Sequence, residues 1–351
     1  MSLDHYLRSL VAGLAGDAQN IQIKKRPPLD IQSNALFDVY TGQHRWIAKV
    51  YLKEAEYDSA PLTEYRNLKR LAPHGLAPTP IAHFAYDGMH QPVVIYDYID
   101  GEMVDRRPLT VAEMRDFAEM WVRLNRLPTD GLWHSRRWDE FLPERFAYWD
   151  SVYAEYIAWA KTHMPQAVEP VQEAYALYET HADTLATINP HALPADTLCH
   201  CHADPRFANL IQRPDGSFVY VDWEDGGLRD PAFVIGNMMV QPNQEDLLSK
   251  AHWDAFLDVY CAGMGYARID FEARVNAYKI GTALLWFGGL LRFLAHKADN
   301  GEHVGFRING MPANQRLRRY LARCMATVGD ATMDDLLAQY EVAGLCFVPE
   351  K

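Results

Sequence analysis

Residues 202–222 carry acidic and amide side chains whose types and spacing could do chemistry. Asp215-Gly216 favours a two-residue hairpin turn, because both residue types tolerate a positive φ angle. Short apolar runs flank this turn on both sides. In the register that such a turn sets, Asn209 and Asp222 face each other at the open end of the hairpin. An amide oxygen and a carboxylate placed together are hard ligands that suit Mg²⁺.

His202 and Asp204 lie just upstream, in the loop that leads into the same end of the hairpin. Phosphoryl transfer by the mechanism that kinases use needs one Asp that orients the attacking hydroxyl. It also needs an Asn and a second Asp that hold Mg²⁺, and a Lys that steadies the phosphates. The sequence therefore predicts a phosphoryl-transfer site here, and the alternative is an ordinary polar hairpin end.

Two blocks around the hairpin resemble the signature of the aminoglycoside phosphotransferase and choline kinase superfamily, whose fold is kinase-like. They are residues 202–211, HADPRFANLI, and residues 221–231, VDWEDGGLRDP. The resemblance implies that Asp204 is the catalytic base and that Asn209 and Asp222 are the Mg²⁺ ligands. His202 belongs to the same catalytic loop, and we expect it to brace the loop rather than to take protons.

The N-terminal part of the chain carries the same resemblance at lower specificity. Lys49, in the run IAKV, resembles the phosphate-binding lysine of the family, and Glu64 on the next helix resembles its ion-pair partner. Ser33 and Asn34 resemble the loop that covers the phosphates in the family. Asp97, Tyr98 and Ile99 resemble the hinge whose backbone holds the adenine. The cofactors implied are ATP (or GTP) and Mg²⁺.

Strand parity supports Lys49 independently of the resemblance. Lys49 shares one face of the predicted strand 46–52 with Ile47 and Tyr51, because alternate side chains point to opposite faces. Lys53 has the same parity but lies four residues, or about 13 Å, farther along an extended chain. The alternatives are a solvated strand lysine at position 49 and, for its acidic partner, one of the other glutamates nearby.

The chain departs from the usual family pattern at several positions. Ala203 replaces a common Gly, and Arg206 and Phe207 stand where many members have His and Pro. Arg229 replaces a common Gly, and Val234 stands where members often have an Asp. These changes leave the catalytic residue types in place but leave the substrate open.

The surrounding elements must position these residues. Up to about Asp100 the patterning predicts strands at 35–40, 46–52 and 92–99, with one helix at 62–71. From Thr110 onward helices dominate, and Thr110 with Glu113 predicts a capping box. The predicted helices lie at 110–127, 137–163, 168–188, 244–263, 271–298, 313–328 and 333–342.

We therefore expect an α+β, bilobal protein-kinase-like fold. Residues 1–98 would form a small β-rich nucleotide-binding lobe, and residues 99–351 a larger, mainly helical lobe that carries catalysis and substrate binding. A chain of 351 residues exceeds the size at which a single core stops growing, roughly 250–300 residues, which also favours two units.

Composition and charge exclude several classes of protein. The net charge of −12 argues against a nucleic-acid binder, which usually carries a basic excess. Five scattered cysteines do not predict a disulfide framework, so we expect a reducing, cytoplasmic setting. Residues 1–16 do not read as a signal peptide. The longest apolar run, Ile280 to Leu291, is too short to span a bilayer, and we expect no membrane partner.

Other motifs fit poorly. Cys199 and Cys201 alternate with His200 and His202, but alternate residues of a strand point to opposite faces, so they do not predict a zinc site. The sequence has no GxxxxGK[ST] P-loop and no GxGxxG after a strand, which argues against a Walker-type ATPase and a Rossmann dehydrogenase.

The sequence thus predicts an ATP- (or GTP-) dependent kinase acting on a hydroxyl of a small molecule, such as an aminoglycoside, choline or a related alcohol. One alternative is a protein kinase, but Asp230-Pro231 follows Asp222 too closely for an activation segment. Another is a nucleotide-binding regulatory protein. The acceptor and the oligomeric state stay open.

Overall fold

The computed structural model describes residues 2–16, 20–27, 34–133, 143–187, 197–241, 247–302, 307–308, 311–329 and 331–349. The helices are α1 (Leu3–Ala15), α2 (Ala60–Leu71), α3 (Val111–Asn125), α4 (Pro143–His163), α5 (Val168–Thr187), α6 (Pro231–Val240), α7 (Lys250–Met264), α8 (Arg268–Asp299), α9 (Ala313–Val328) and α10 (Met333–Val342). The strands are β1 (Gln22–Lys25), β2 (Asn34–Tyr40), β3 (Arg45–Tyr51), β4 (Pro80–Phe84), β5 (Val93–Asp97), β6 (Glu102–Met103), β7 (Cys199–Cys201), β8 (Leu210–Gln212), β9 (Phe218–Tyr220), β10 (Gly227–Arg229), β11 (Arg307–Ile308) and β12 (Met311–Pro312).

The fold is mixed α+β, as predicted, with a sheet in the N-terminal part and a mainly helical remainder. The chain forms two compact units. The first consists mainly of Met1–Pro108 and His200–Gly227, and the second contains α3 to α10. The predicted lobe boundary between residues 98 and 99 stays a prediction.

The first unit is built on a five-stranded sheet of order β1-β2-β3-β5-β4, paired antiparallel throughout. One face of the sheet packs against α1 and forms a continuous core, to which Phe37, Ala48 and Ile95 belong. Side chains alternate between the two faces of a strand. Residues between those core positions, Lys49 among them, therefore lie on the other face.

Helix α2 follows the sheet strand that carries Lys49. Pro61 lies in its first turn, where a missing N–H costs nothing, and Gly75 in the left-handed conformation ends the following turn. Glu64, Asn67 and Leu68 are buried at positions i, i+3 and i+4, so they lie on one face of the helix. The buried face therefore combines an acid and an amide with apolar residues.

The hairpin register differs by one residue from the prediction. Leu210 pairs with Tyr220, so Asn209 meets Val221, whose N–H donates to the Asn209 carbonyl at 2.9 Å. The two-residue turn was wrong because Pro214 takes the second position of a type I turn, which places Gly216, at φ 84°, after it in a three-residue loop. Asp222 therefore lies just beyond the strand pair rather than within it.

Asp222 has a φ of 68°, a left-handed conformation that non-glycine residues adopt rarely. Asp and Asn are several-fold enriched among such exceptions, because their short polar side chains tolerate it. Because of this conformation, the alternation of side chains along the strand does not predict the direction of the Asp222 side chain.

The second unit is helical. The capping box of Thr110 and Glu113 opens α3 as predicted, and Asp230 caps α6 through the N–H of Ala232. The early residues of the predicted helix 137–163, and position 188 of another, lie outside the described residues. Helices α3, α5, α8, α9 and α10 begin and end within a few residues of the prediction. Helix α7 ends where predicted but starts at Lys250 rather than at 244, and residues 244–246 lie outside the described residues. Helix α6 was not predicted.

The predicted apolar run from Ile280 to Leu291 lies inside α8, where Phe287 and Leu291 are fully buried. Among the described residues, no helix combines the length and the apolar character that a bilayer span requires.

Candidate active site

Lys49 is enclosed by three carboxylates on the open face of the five-stranded sheet. Its side chain is 3% exposed, and Nζ lies 2.7 Å from Glu64 Oε2 and 2.9 Å from Glu224 Oε2. Nζ also forms a close ion pair with Asp222 Oδ1. Strand β3, helix α2 and the segment after β9 thus supply one charge cluster, which we call the Lys49 cluster (Lys49, Glu64, Asp222, Glu224).

The electrostatics of the Lys49 cluster follow from burial and charge. Burial alone would lower the pKa of Lys49, but Asp222, Glu224 and Glu64 together raise it well above its usual value. Burial raises the pKa of Glu224 to about 7. For Asp222, burial is outweighed by Lys49, with help from Arg206 and His202, and its pKa falls to about 2. Three acids around one base leave an excess of negative charge once all three ionise.

Neighbouring polar side chains complete the Lys49 cluster. Asn34, at the start of β2, donates from Nδ2 to Glu224 Oε2 at 2.9 Å, and the hydroxyl of Tyr51 donates to Glu64 Oε2. Tyr51 is two residues from Lys49 and therefore on the same face of β3. Ser33, predicted with Asn34 in the loop over the phosphates, lies outside the described residues.

Lys53, the comparison residue of the parity argument, lies beyond the end of β3 and is exposed. Lys49 is buried on the predicted face with Ile47 and Tyr51. The structure thus brings Lys49 to Glu64 and to Asp222, two of the residues that the sequence predicted for the same site.

The Asp204 loop (residues 202–209) is held by hydrogen bonds between its own residues. The N–H of Asp204 donates to His202 Nδ1 at 3.2 Å, and Asn209 Nδ2 donates to the Asp204 carbonyl at 3.1 Å. Because the nitrogen of the Asn209 amide is engaged, its oxygen Oδ1 is the atom that can bind a cation. Asp204 itself is 8% exposed, and its Oδ2 forms an ion pair with Arg206 Nη2 at 2.7 Å.

His202 ties this loop to the end of the hairpin. Its Nε2 lies 2.8 Å from the Val221 carbonyl, so this nitrogen carries the proton and Nδ1 accepts from Asp204. Its ring packs against those of Tyr220 and Trp223, at 4.6 and 4.5 Å between centroids. Burial lowers the pKa of His202, which keeps it neutral. This geometry agrees with a bracing role, because both ring nitrogens are occupied.

Asn67 holds the segment that follows Asp222. One turn of α2 beyond Glu64, its Nδ2 donates to the carbonyls of Trp223 and Gly226, at 2.9 and 3.0 Å. A Cβ at Gly226 would lie 2.8 Å from this nitrogen, so the close approach requires glycine. Helix α2 therefore positions both the ion-pair partner of Lys49 and the chain that carries Asp222.

The predicted hinge lies at the end of β5. The N–H of Asp97 donates to the Thr79 carbonyl at 2.9 Å and that of Tyr98 to the Arg45 carbonyl at 3.0 Å. Two of the three predicted hinge N–H groups therefore already serve the sheet. The Arg45 guanidinium lies 3.3 Å over the ring of Tyr98, and Ile99 is partly buried.

Sequence reasoning missed four residues that shape the site. Glu224, Tyr51, Asn67 and Arg206 all contact predicted site residues directly or hold the chain next to them. Tyr51 lies two residues from Lys49 in a strand and Asn67 three residues from Glu64 in a helix, and that spacing is the signal that could have identified these two.

The oxygens of Glu64, Asp222 and Glu224 lie within 4.8 Å of one another and form a set of hard ligands. The buried oxygens Asp204 Oδ1 and Glu64 Oε1 accept no hydrogen bond in the described part of the chain. Cys199 and Cys201, in contrast, are buried thiols of β7. The donor chemistry at the hairpin end therefore fits an oxygen-loving cation such as Mg²⁺.

Comparisons with known proteins identify the family and the fold. The family model described as "Phosphotransferase enzyme family" matches residues 26–278. Two proteins named LicA from Haemophilus influenzae are 30% identical over 109 residues, which is 30% of this chain. The match spans 38% and 30% of those relatives, about a third of their length.

Two solved structures show the fold. Choline kinase LicA from Streptococcus pneumoniae superposes with a TM-score of 0.58 at 17% identity, over 91% of this chain and 99% of that one. A spectinomycin phosphotransferase in complex with ADP and spectinomycin gives 0.53 at 12% identity, over 96% and 98%. The predicted kinase-like fold is thereby confirmed.

Proposed function

Since this chain belongs to the phosphotransferase enzyme family, we propose that it transfers the γ-phosphoryl group of ATP (or GTP) to a hydroxyl of a small molecule. The observation that carries the proposal is the Lys49 cluster beside the hairpin that carries the Asp204 loop. A buried lysine fixed by an acid from the next helix, and an Asp–Asn pair on a rigid loop, are the parts that phosphoryl transfer by the kinase plan requires.

In this proposal Lys49, oriented by Glu64, binds the α- and β-phosphates. The predicted loop of Ser33 and Asn34 covers them, and the backbone at residues 97–99 holds the base. The N–H groups of Asp97 and Tyr98 are engaged in the sheet, so their carbonyls and the backbone of Ile99 are the groups left for the base.

Asn209 and Asp222 would hold Mg²⁺. Their oxygens have the required chemistry, and the excess of acids around Lys49 gives a cation a favourable potential. When bound, the metal neutralises charge on the phosphate oxygens. Glu224 is close enough to Asp222 to add to that potential.

Asp204 acts on the acceptor. Its oxygen Oδ1 is buried and accepts no hydrogen bond from the described residues, so it can accept one from a substrate hydroxyl. The O–P bond to the acceptor forms as the bond to the leaving diphosphate oxygen breaks, and Asp204 takes the hydroxyl proton. Positioning and charge neutralisation supply most of the acceleration in such a reaction.

The acceptor class is also part of the proposal. Solved relatives are named for choline and spectinomycin, which are small hydroxylated amines. The chain's net charge of −12 suits a cationic acceptor. We propose an amino alcohol or amino sugar.

The test is a transfer assay with the purified full chain, Mg²⁺ and γ-labelled ATP or GTP. Choline, short amino alcohols, aminoglycosides and spectinomycin are offered as acceptors, with their deoxy or O-methyl analogues as controls. Label should move to the hydroxylated compound and not to its control. If calorimetry detects no binding of either Mg-nucleotide, the proposal is wrong. If nucleotide binds but no acceptor is labelled, a nucleotide-binding regulatory protein is the better account.

A further inference from the structure

Arg206 places a second positive charge at the candidate active site. Its Nη2 lies 2.7 Å from Asp204 Oδ2, within hydrogen-bond distance of the carboxylate that the proposed function assigns to the acceptor hydroxyl. Sequence reasoning noted Arg206 only as a departure from the family pattern. The structure shows that this departure puts a guanidinium in direct contact with the proposed base.

Local backbone geometry fixes the contact. The N–H of Arg206 donates to the Asp204 carbonyl at 2.8 Å across Pro205, whose ring fixes φ. The Arg206 carbonyl in turn accepts from the N–H of Asn209 at 2.9 Å. The three residues thus form one hydrogen-bonded backbone unit, which fixes the position from which the Arg206 side chain reaches Asp204.

Both partners keep unused hydrogen-bonding capacity inside the protein. Asp204 Oδ1 and Arg206 Nε are buried atoms without a hydrogen-bond partner in the described part of the chain. A buried N–H of a charged group left unpaired is costly, and such groups in native proteins call for a ligand or water. A bound molecule that offers a hydroxyl to one and an anionic oxygen to the other would satisfy both.

The two cations of the site differ in what they can offer a nucleotide. Lys49 is 3% exposed and surrounded by three carboxylates, whereas the Arg206 side chain is 32% exposed and pairs with one carboxylate. A guanidinium has five N–H donors in a planar fork, so it can keep its bond to Asp204 and still bind phosphate oxygens. Arg206 is therefore the more available cation.

We propose that Arg206 is a further catalytic residue, whose guanidinium binds the γ-phosphoryl oxygens of the nucleotide while it stays paired with Asp204. It would neutralise charge on the group in transfer and bring that group to the hydroxyl held by Asp204. This inference rests on the proposed function. A purely structural alternative is that Arg206 only orients Asp204.

Calorimetry with Mg-ATP and Mg-ADP separates these roles without turnover or an acceptor. We expect Arg206→Gln to weaken ATP binding by about tenfold and to leave ADP binding within about twofold, because only ATP carries the γ-phosphate. Arg206→Lys should recover part of the loss. Arg213→Gln, which removes an arginine from the loop of the same hairpin, is the matched control and should bind both nucleotides as the wild type does.

The background of Asp204→Asn provides the decisive comparison. If Arg206 binds the γ-phosphate, Arg206→Gln should reduce ATP affinity by the same factor in the Asp204→Asn background as in the wild-type background. Equal losses for ATP and ADP, no loss for ATP, or a loss that disappears in the Asp204→Asn background would overturn the inference. Melting curves of each variant check that it is folded. If Arg206→Gln does not fold, the ATP and ADP affinities of Arg206→Lys are compared with those of the wild type instead.

Failure of the proposed function gives a different result. In that case the wild-type chain binds neither Mg-ATP nor Mg-GTP, before any variant is made. Wild-type binding of Mg-ATP together with an unchanged Arg206→Gln variant removes Arg206 from the reaction and leaves the rest of the mechanism in place.

Discussion

The Lys49 cluster and the Asp204 loop hold their charged groups in different ways. Lys49, on a strand, meets acids that are 15 and 173 residues away in the chain, on a helix and on the segment after the hairpin. Asp204 is held by residues two and five positions away. The first arrangement exists only when the tertiary structure is complete, whereas the second is largely a property of local sequence.

This difference predicts different consequences of mutation. A change in the Lys49 cluster alters buried charge, so stability and nucleotide binding should change together. A conservative change at Asp204 leaves these hydrogen bonds intact, since they join the main chain of Asp204 to the His202 ring and to the Asn209 amide. It should therefore affect the chemical step alone. Mutations in the two regions can therefore separate these effects, and the largest effect is expected at Asp204.

Asp204→Asn should reduce turnover by at least about 10²-fold, because an amide cannot take the hydroxyl proton. Melting temperature and affinity for Mg-nucleotide should change little, since the amide can still accept from Arg206. Steady-state kinetics with a confirmed acceptor, alongside calorimetry, provides the measurement. Wild-type turnover in a folded variant would remove Asp204 from the mechanism.

Lys49→Ala should reduce nucleotide-dependent turnover by roughly tenfold to 10²-fold and also destabilise the fold. Removing one partner of a buried charge pair costs about 3–5 kcal/mol, because the remaining charges are left buried and uncompensated. Lys53→Ala is the matched control, at an exposed position of the same strand parity. Kinetics with varied ATP, and urea unfolding, would compare the two. Equal losses of turnover and stability in the two variants would contradict the assignment of Lys49 by strand parity and by the family resemblance.

Asp222→Asn should weaken Mg-ATP binding by roughly tenfold, because the amide keeps the shape of the side chain but loses the charge that pairs with a metal. Asn also tolerates the left-handed backbone at φ 68°, so it is a cleaner test than Asp222→Ala. The same titration with EDTA and no metal is the control, and there the two proteins should differ little. An equal loss without metal would place the metal elsewhere.

Prediction from sequence succeeded where the local pattern decides the outcome. Strand parity placed Lys49 on the face with Ile47 and Tyr51, whereas its contact with Glu64 was expected only from the family resemblance. The capping box at Thr110 is likewise a local feature. Each depends on periodicity or on residues within one turn, which a single sequence contains.

The same reasoning failed where competing preferences or distant contacts decide. Asp215-Gly216 favours a two-residue turn, but Pro214 ahead of it favours a type I turn and shifts the register by one residue. The third acid of the Lys49 cluster, Glu224, meets Lys49 only through folding, and so does the bond from Asn67 to the carbonyl of Trp223. Neither contact has a periodic signature across the intervening chain.

The smallest expected effect is a pH dependence of stability that originates in Glu224. Burial raises its pKa to about 7 in the folded protein, above the ordinary value of 4.5. The folded state then binds the Glu224 proton more tightly than the unfolded state, so the contribution of Glu224 is most favourable below about pH 4.5. It is lost as the pH rises to about 7, at no more than about 1.4 kcal/mol per pH unit. Asp222, with its pKa lowered to about 2, acts in the opposite sense and in a separate range, since its contribution is lost as the pH falls below about 4.

Glu224→Gln should therefore flatten the fall in unfolding free energy between pH 4.5 and 7, because the amide fills the same space without a charge to bury. It should leave the loss of stability below about pH 4 unchanged. Urea unfolding at half-unit pH steps measures this, with the exposed Glu119→Gln on α3 as the matched control. If the wild type and Glu224→Gln run parallel across that range, the pKa of Glu224 is not raised in the folded protein, and the Lys49 cluster is less distinct from the Asp204 loop than its geometry indicates.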